Sequence, residues 1–101
     1  MILIYVVCAN LEEAKRISRY LLEHRLAACT NMYPITSAYW WEGKIVEDNE
    51  VAMIVKTVPD HFELVKDAVL KLHSYQVPCI ISIPVDKVEP TYLQWLQSET
   101  R

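Results

Sequence analysis

The sequence predicts a single α+β domain with elements in the order β-α-β-β-α-β, a long central β-hairpin and a short C-terminal helix. Two observations predict this order. Apolar runs rich in β-branched residues alternate with segments whose apolar residues recur every three or four positions. The only glycine, Gly43, lies between two strand-like runs, where a hairpin needs a turn. A length of 101 residues is typical of one domain, so we expect residues 1–101 to form one unit.

The first strand and helix follow from the start of the chain. The run Ile2–Val7 is continuously apolar, which is typical of a strand covered on both faces. Asn10 is placed to cap a helix, and Glu13 three residues later completes a capping-box pair. The helix should bury the apolar positions of one face, which are Leu11, Ala14, Ile17, Leu21 and Leu22.

The central hairpin is predicted from a change to β-branched and aromatic residues. Its first strand should run from about Ala28 to Trp41, and Glu42 with Gly43 offers the tight turn. The return strand should start at Ile45 and end at Thr57. The polar segment 47–49 interrupts it and predicts a bulge or bend.

The second helix, the last strand and the terminal helix complete the order. Pro59 opens a helix that should end near His73. Its apolar stripe consists of Phe62, Val65, Ala68, Val69 and Leu72. Ile80–Val85 is the last strand, and Pro84 within it favours an edge position or a strand end. Thr91–Leu96 forms a short helix. Together these elements give the split β-α-β pattern of ferredoxin-like folds.

Composition and charge exclude several functional classes. The formal net charge is −3, with acidic and basic residues interspersed, so no basic stripe for nucleic acid is present. The apolar start of the chain is too short for a membrane span and lacks the basic flank of a signal peptide. The three cysteines, Cys8, Cys29 and Cys79, are widely spaced and indicate neither a disulfide framework nor a paired-cysteine zinc site. We therefore expect a cytoplasmic protein without nucleic-acid or membrane partners.

The hairpin tip predicts an oligomer. A strand from Ala28 to Trp41 would span about 45 Å, against a radius of gyration of about 13 Å for a compact domain of this size. The tip carries Tyr39, Trp40 and Trp41, whose apolar surfaces a monomer would leave in water. Sister subunits are the simplest cover. The alternative is a monomer whose hairpin curls back and packs its own tryptophans.

Five segments of the chain form a characteristic series in order, namely Leu21–Asn31, the hairpin residues Ser37, Tyr39, Trp41, Gly43 and Lys44, the strand Glu50–Thr57, the loop residues His73, Tyr75 and Pro78, and the helix Tyr92–Leu96. In these segments, and from about Ile4 to Leu96 as a whole, the chain resembles the CutA divalent-cation tolerance family. The resemblance implies a ferredoxin-like homotrimer, related in architecture to the PII signalling proteins, that takes part in the response to copper and other divalent metal ions. It implies no catalytic activity.

This sequence departs from the family pattern at four positions. Ser74 stands where proline is common, and Cys79 stands where glutamate or a small residue is common. Ala9 and Leu11 stand where threonine and proline are often found. The loop near the expected metal site therefore differs in detail.

A metal site is predicted at one end of the sheet. In this topology Cys8 ends the first strand, Cys79 begins the fourth, and His73 ends the helix between strands three and four, so the three should converge. Thiolate and imidazole donors suit copper or zinc far better than magnesium or calcium. The resemblance also implies copper contact at Cys8 and His73. The alternative is structural: buried cysteines often act as small hydrophobes, and a histidine at a helix end can bind backbone carbonyls.

A second candidate site is an inter-subunit cleft. Cys29 should begin the second strand near Lys56, and a nearby lysine can lower the pKa of a thiol. The resemblance places Cys29, Tyr39, Trp41, Glu50 and Lys56 around a cleft between subunits. We favour packing and an interface ion pair for these residues, because no histidine base lies near them in the sequence.

Three functions compete at this point. The first is a trimeric binding protein for copper, with zinc or another divalent ion as the alternative metal. The second is a PII-like sensor that binds a small anionic ligand in its clefts, although its single glycine cannot form a glycine-rich phosphate loop. The third is a thiol enzyme using Cys29, which lacks a base, so we expect no enzymatic activity. An unidentified protein partner remains compatible with each.

Overall fold

The computed structural model describes residues 1–101, and its elements follow the predicted order. They are β1 (Ile2–Cys8), α1 (Leu11–Glu23), β2 (Cys29–Trp41), β3 (Lys44–Thr57), a 3₁₀ turn (Pro59–His61), α2 (Phe62–Leu72), β4 (Ile80–Pro84) and α3 (Pro90–Glu99). The terminal helix α3 is longer than the predicted Thr91–Leu96. None of the helices combines the length and apolar character needed to cross a membrane.

The four strands form one open antiparallel sheet in the order β2-β3-β1-β4. Strand β4 pairs only with β1, which confirms the edge position predicted from Pro84. Cys8, the last residue of β1, lies opposite Val51 of β3. The end of β1 therefore meets the middle of the long hairpin, next to the segment that leads into β4.

The core lies between the two long helices and one face of the sheet. It contains alternate residues of β1 and β3 with the inner residues of α1 and α2, which include Ile4, Val6, Met53, Val55, Ile17, Leu21, Val65 and Val69. On the other face of β1, Leu3, Tyr5 and Val7 are only partly covered. The prediction that β1 is covered on both faces is therefore wrong for a single chain, because α1 and α2 pack on the same side of the sheet.

Helix α1 buries a narrower face than its sequence predicted. Ala14, Ile17 and Leu21 are fully buried, whereas Leu11 and Leu22 are 46% and 38% exposed. Ser18 lies within the buried arc instead. Its hydroxyl is 2.6 Å from the hydroxyl of Thr30 on β2, and this hydrogen bond satisfies a polar group at the helix–sheet contact.

The hairpin is regular over its whole length. Its pairing runs without a break from Cys29 opposite Lys56 to Trp41 opposite Lys44. The predicted bulge at residues 47–49 is therefore wrong. Because this part of the hairpin extends beyond the core and is mostly exposed, polar side chains are accommodated there without disturbing the ladder.

The tip of the hairpin is not buried within its own chain. Glu42 and Gly43 form the turn with positive φ angles of 50° and 77°, as a tight hairpin turn requires. Trp40 is 72% exposed and Ile45 is 65% exposed. The molecule measures 45 × 25 × 21 Å, so the hairpin gives it an elongated shape. The alternative in which the hairpin buries both tryptophans within the monomer is therefore wrong.

Candidate functional site

Three potential metal-ligand side chains converge where β1 ends. Cys8 is the last residue of β1, Glu13 lies in the first turn of α1, and His73 directly follows α2. The sulfur, a carboxylate oxygen and a ring nitrogen of these residues all lie within 4.8 Å of one another. The side chains of Cys8 and His73 are fully buried, and that of Glu13 is 5% exposed. The cluster therefore offers one soft, one borderline and one hard donor away from solvent.

The position of Glu13 follows from the start of α1. Asn10 caps the helix, since its side-chain oxygen accepts a hydrogen bond from the backbone N–H of Glu13 at 2.8 Å. Glu13 Oε1 accepts from the Ala9 N–H at 2.9 Å, and Oε2 accepts from the Ser74 N–H at 3.0 Å. The predicted capping pair is confirmed, but the glutamate returns to Ala9 rather than to Asn10. Its carboxylate thereby joins the β1–α1 turn to the segment after α2.

His73 is held by hydrogen bonds on both sides of its ring. Nε2 lies 2.7 Å from the carbonyl oxygen of Val7, so this nitrogen carries the proton and donates it. Nδ1 accepts from the Tyr75 N–H at 3.1 Å, and it lies 3.6 Å from Glu13 Oε1. The lone pair of Nδ1 is therefore occupied by a backbone donor, although this nitrogen lies beside the carboxylate of the cluster.

Burial and charge set opposite protonation states for the thiol and the carboxyl group. Burial, reinforced by the negative charge of Glu13, raises the pKa of Cys8 to about 12. Burial acts to raise the pKa of Glu13 as well, but the hydrogen bonds from Ala9 and Ser74 and the proximity of His73 outweigh it and hold that pKa below its usual value. At neutral pH the cluster therefore holds a protonated thiol and an ionised carboxylate.

Of the three metal ligands predicted from sequence, Cys8 and His73 come together and Cys79 lies outside the group. Cys79 instead lines a cavity beside Tyr75. Glu13 was not predicted as a ligand, because its capping role already explained its place in the sequence. The sequence did indicate that Glu13 lies near Cys8, because a capping glutamate folds back over the residues that precede its helix, and Cys8 is one of them.

A cavity of about 650 Å³ lies between the hairpin and the segment that precedes β4. Its walls include Tyr39, Trp40 and Trp41 from the hairpin, Glu50 from β3, and Tyr75 from the loop. Glu50 is 6% exposed and accepts a hydrogen bond from the Tyr75 hydroxyl at 2.7 Å. The hairpin is thereby tied to the loop that carries the ring of His73.

The five predicted cleft residues do not form one cleft within the chain. Tyr39, Trp41 and Glu50 line the cavity, whereas Cys29 and Lys56 face each other at the opposite end of the hairpin. Lys56 is six positions along β3 from Glu50, a distance of about 20 Å. Its ammonium group lies 5.6 Å from the centre of the Tyr92 ring, which is a cation–π contact.

The chain matches the family model described as CutA1 divalent ion tolerance protein over residues 2–99. It is 50% identical over 93 residues to the divalent-cation tolerance protein CutA of Archaeoglobus fulgidus, covering 92% of this chain and 91% of that protein. It is 46% identical over 101 residues to the Pyrococcus horikoshii protein of the same name, covering 100% and 99% of the two. A solved structure of the A. fulgidus protein, described as periplasmic, matches with a TM-score of 0.98 and 46% identity over 100% of both chains.

Proposed function

Because the chain belongs to the CutA divalent-cation tolerance family, we propose that it binds copper, with zinc as the alternative metal, in the response to that ion. The observation that supports this most is the convergence of Cys8, Glu13 and His73 within 4.8 Å. Sulfur and imidazole donors suit both metals, and a carboxylate completes donor sets that zinc accepts. We propose Glu13, rather than Cys79, as the third ligand.

Loading this site requires two changes in the protein. Cys8 must lose its proton, which burial and Glu13 hold in place. His73 must turn the lone pair of Nδ1 from the Tyr75 N–H to the ion. A bound cation supplies the positive charge that stabilises a buried thiolate beside a carboxylate. The backbone N–H of Tyr75 then needs a new hydrogen-bond acceptor, so metal binding should rearrange the segment that follows α2.

The same cluster also has a purely structural interpretation. Both carboxylate oxygens of Glu13 and both ring nitrogens of His73 already have hydrogen-bond partners, and no buried side-chain nitrogen or oxygen in the chain lacks one. In that case the network only joins β1, α1 and the loop. The two interpretations differ in whether copper binds Cys8 and His73 in place of the Cys8 proton and the Tyr75 N–H.

Copper titration of the reduced protein tests the proposal. We expect Cys8→Ala and His73→Ala each to weaken copper binding at least about tenfold, since each removes one ligand. Cys29→Ala removes a thiol at the other end of the sheet and is the matched control. Cys79→Ala should also leave the affinity unchanged. Thermal unfolding of each variant, with Cys8→Ser as a near-isosteric second variant, checks that the fold is kept. Unchanged affinity in the Cys8 and His73 variants would show that the site assignment is wrong.

We further propose that the protein is a homotrimer whose sister chains cover the hairpin and the open face of the sheet. On that face Ile81 and Ile83 of β4, opposite Tyr5 and Leu3, are 52% and 44% exposed. Trp40 adds a large exposed surface at the hairpin tip. Monomers seldom expose apolar area of this extent.

Light scattering tests the oligomer. We expect a mass of about 35 kDa, three times the chain mass of 11.8 kDa. Ile83→Lys should shift the protein toward the monomer, because it places a charge in the covered face. Leu70→Lys on α2, where the leucine is 51% exposed on the helical side, is the matched control and should remain trimeric. A single monomeric or dimeric species of the unmodified chain at micromolar concentration would contradict the trimer.

A further inference from the structure

The segment between α2 and β4 occupies two of the proposed copper ligands with its backbone. The N–H of Ser74 donates to Glu13 Oε2 at 3.0 Å, and the next N–H, that of Tyr75, donates to His73 Nδ1 at 3.1 Å. The Tyr75 ring also packs on the imidazole, with 4.7 Å between the ring centres. Because one lone pair cannot serve both a backbone N–H and a metal ion, the Tyr75 contact must open before His73 Nδ1 becomes available.

The hydroxyl of Tyr75 anchors this contact to the hairpin. It donates to Glu50 Oε2 at 2.7 Å, and Glu50 lies within β3 opposite Ile35. Burial and the hydrogen bond to Glu50 raise the pKa of the Tyr75 phenol, so the hydroxyl stays protonated and remains a donor at neutral pH. A hydrogen bond to an ionised carboxylate is stronger than one between neutral groups. Tyr75 is therefore fixed at two points, with its N–H on His73 and its hydroxyl on the sheet.

These contacts lie inside one chain and need no open surface. The side chain of His73 is fully buried, Glu50 is 6% exposed, and Tyr75 is partly buried. A sister chain over the hairpin would cover this network rather than replace it. The anchor between Tyr75 and Glu50 therefore does not depend on the hairpin being uncovered.

We propose that Tyr75 is a latch on the copper site: its N–H occupies His73 Nδ1, and its hydroxyl bond to Glu50 resists the withdrawal that copper binding requires. The inference rests on the proposed function, because it assigns the regulation of that same site. Tyr75 acts through His73 and is a positioning residue. By linkage, a weaker anchor should strengthen copper binding, and copper binding should weaken the anchor by the same factor. A residue that only supports the ligands predicts the opposite, since its loss weakens metal binding.

Copper titration of Tyr75→Phe tests the latch, because this change removes the hydroxyl, keeps the ring and the backbone N–H, and alters no charge. We expect the reduced variant to bind copper(I) about tenfold more tightly than the unmodified protein, since only the metal-free state loses a hydrogen bond to a carboxylate. Competition with a chelator of known affinity, at one fixed pH, measures the difference. Tyr20→Phe removes the same hydroxyl from a 37% exposed position on α1 and is the matched control, with unchanged affinity.

Amide hydrogen exchange provides a second measurement that needs no metal. In the metal-free protein, Tyr75→Phe should raise the exchange rate of the residue-75 amide about tenfold, because the anchor restrains the same local opening. Amides in the middle of β1 should exchange as before. Thermal unfolding of the metal-free variant should occur at a lower temperature, so stability and copper affinity should change in opposite directions.

The outcomes separate the latch from the copper site itself. Equal or weaker copper binding by Tyr75→Phe, while Cys8→Ala still weakens binding, would overturn the latch and leave the site assignment intact. An unchanged exchange rate at residue 75 would overturn the latch as well. If Cys8→Ala and His73→Ala both bind copper as the unmodified protein does, the site assignment fails, and the latch fails with it.

Discussion

The apparent affinity for copper should rise about tenfold per pH unit between about pH 6 and pH 8, a total of about 100-fold. The thiol of Cys8 has a pKa of about 12, so it is protonated throughout this range and must release one proton when the metal binds. Each unit of rising pH lowers the competing proton concentration tenfold, and binding therefore strengthens as pH increases. Titration against a chelator of known pH dependence measures the slope.

The Cys8→Ala variant provides the control for this pH dependence. Without the thiol, the proton release assigned to Cys8 disappears, and the remaining slope should fall clearly below that of the unmodified protein. A slope that is flat in the unmodified protein, or identical in the two, would mean that copper does not displace the Cys8 proton.

Glu13→Gln should lower the free energy of unfolding by about 1–3 kcal/mol. The carboxylate accepts one hydrogen bond from Ala9 and one from Ser74, each to a different oxygen. Glutamine has one oxygen, so one of these partly buried N–H groups would face an amide NH₂ and lose its acceptor. Urea denaturation measures the loss. The matched control is Glu12→Gln, an exposed neighbour with the same change in charge, which should stay within about 0.5 kcal/mol.

Glu13 should also contribute acid sensitivity. Its pKa is lower in the folded chain than in the unfolded chain, so its stabilisation is present above the unfolded pKa of about 4.3 and is lost as pH falls through the folded value. Glu13→Gln should remove this part of the acid dependence. If the variant and the unmodified protein lost stability in parallel on acidification, the ionised carboxylate would not be the stabilising form.

Much of the fold could be predicted from local patterns. The position of Gly43, the cap at Asn10 and the proline in β4 each indicated a turn, a helix start or an edge strand, because these residues act through the backbone of their own segment. The errors concern features that depend on what surrounds a segment in the folded chain. Residues 47–49 read as a bulge because local polarity does not reveal that the hairpin extends beyond the core into solvent.

In the candidate site, too, some features could be predicted from the sequence and others depend on the folded structure. Topology alone brought Cys8 and His73 to one end of the sheet, since strand and helix ends follow from the order of elements. It could not separate Cys79 from Glu13, because that depends on side-chain direction over a few ångströms. Similarly, the cleft set that includes Glu50 and Lys56 is divided between the two ends of the hairpin. The cytoplasmic location stays a prediction.

X-ray absorption spectroscopy of the copper-loaded protein tests the central claim most directly, because it reports the atoms bound to the metal. We predict one sulfur ligand together with imidazole nitrogen, with the sulfur signal lost in Cys8→Ala and kept in Cys79→Ala. A spectrum with only nitrogen and oxygen donors, or a sulfur signal that survives Cys8→Ala, would contradict a metal centre at the end of β1.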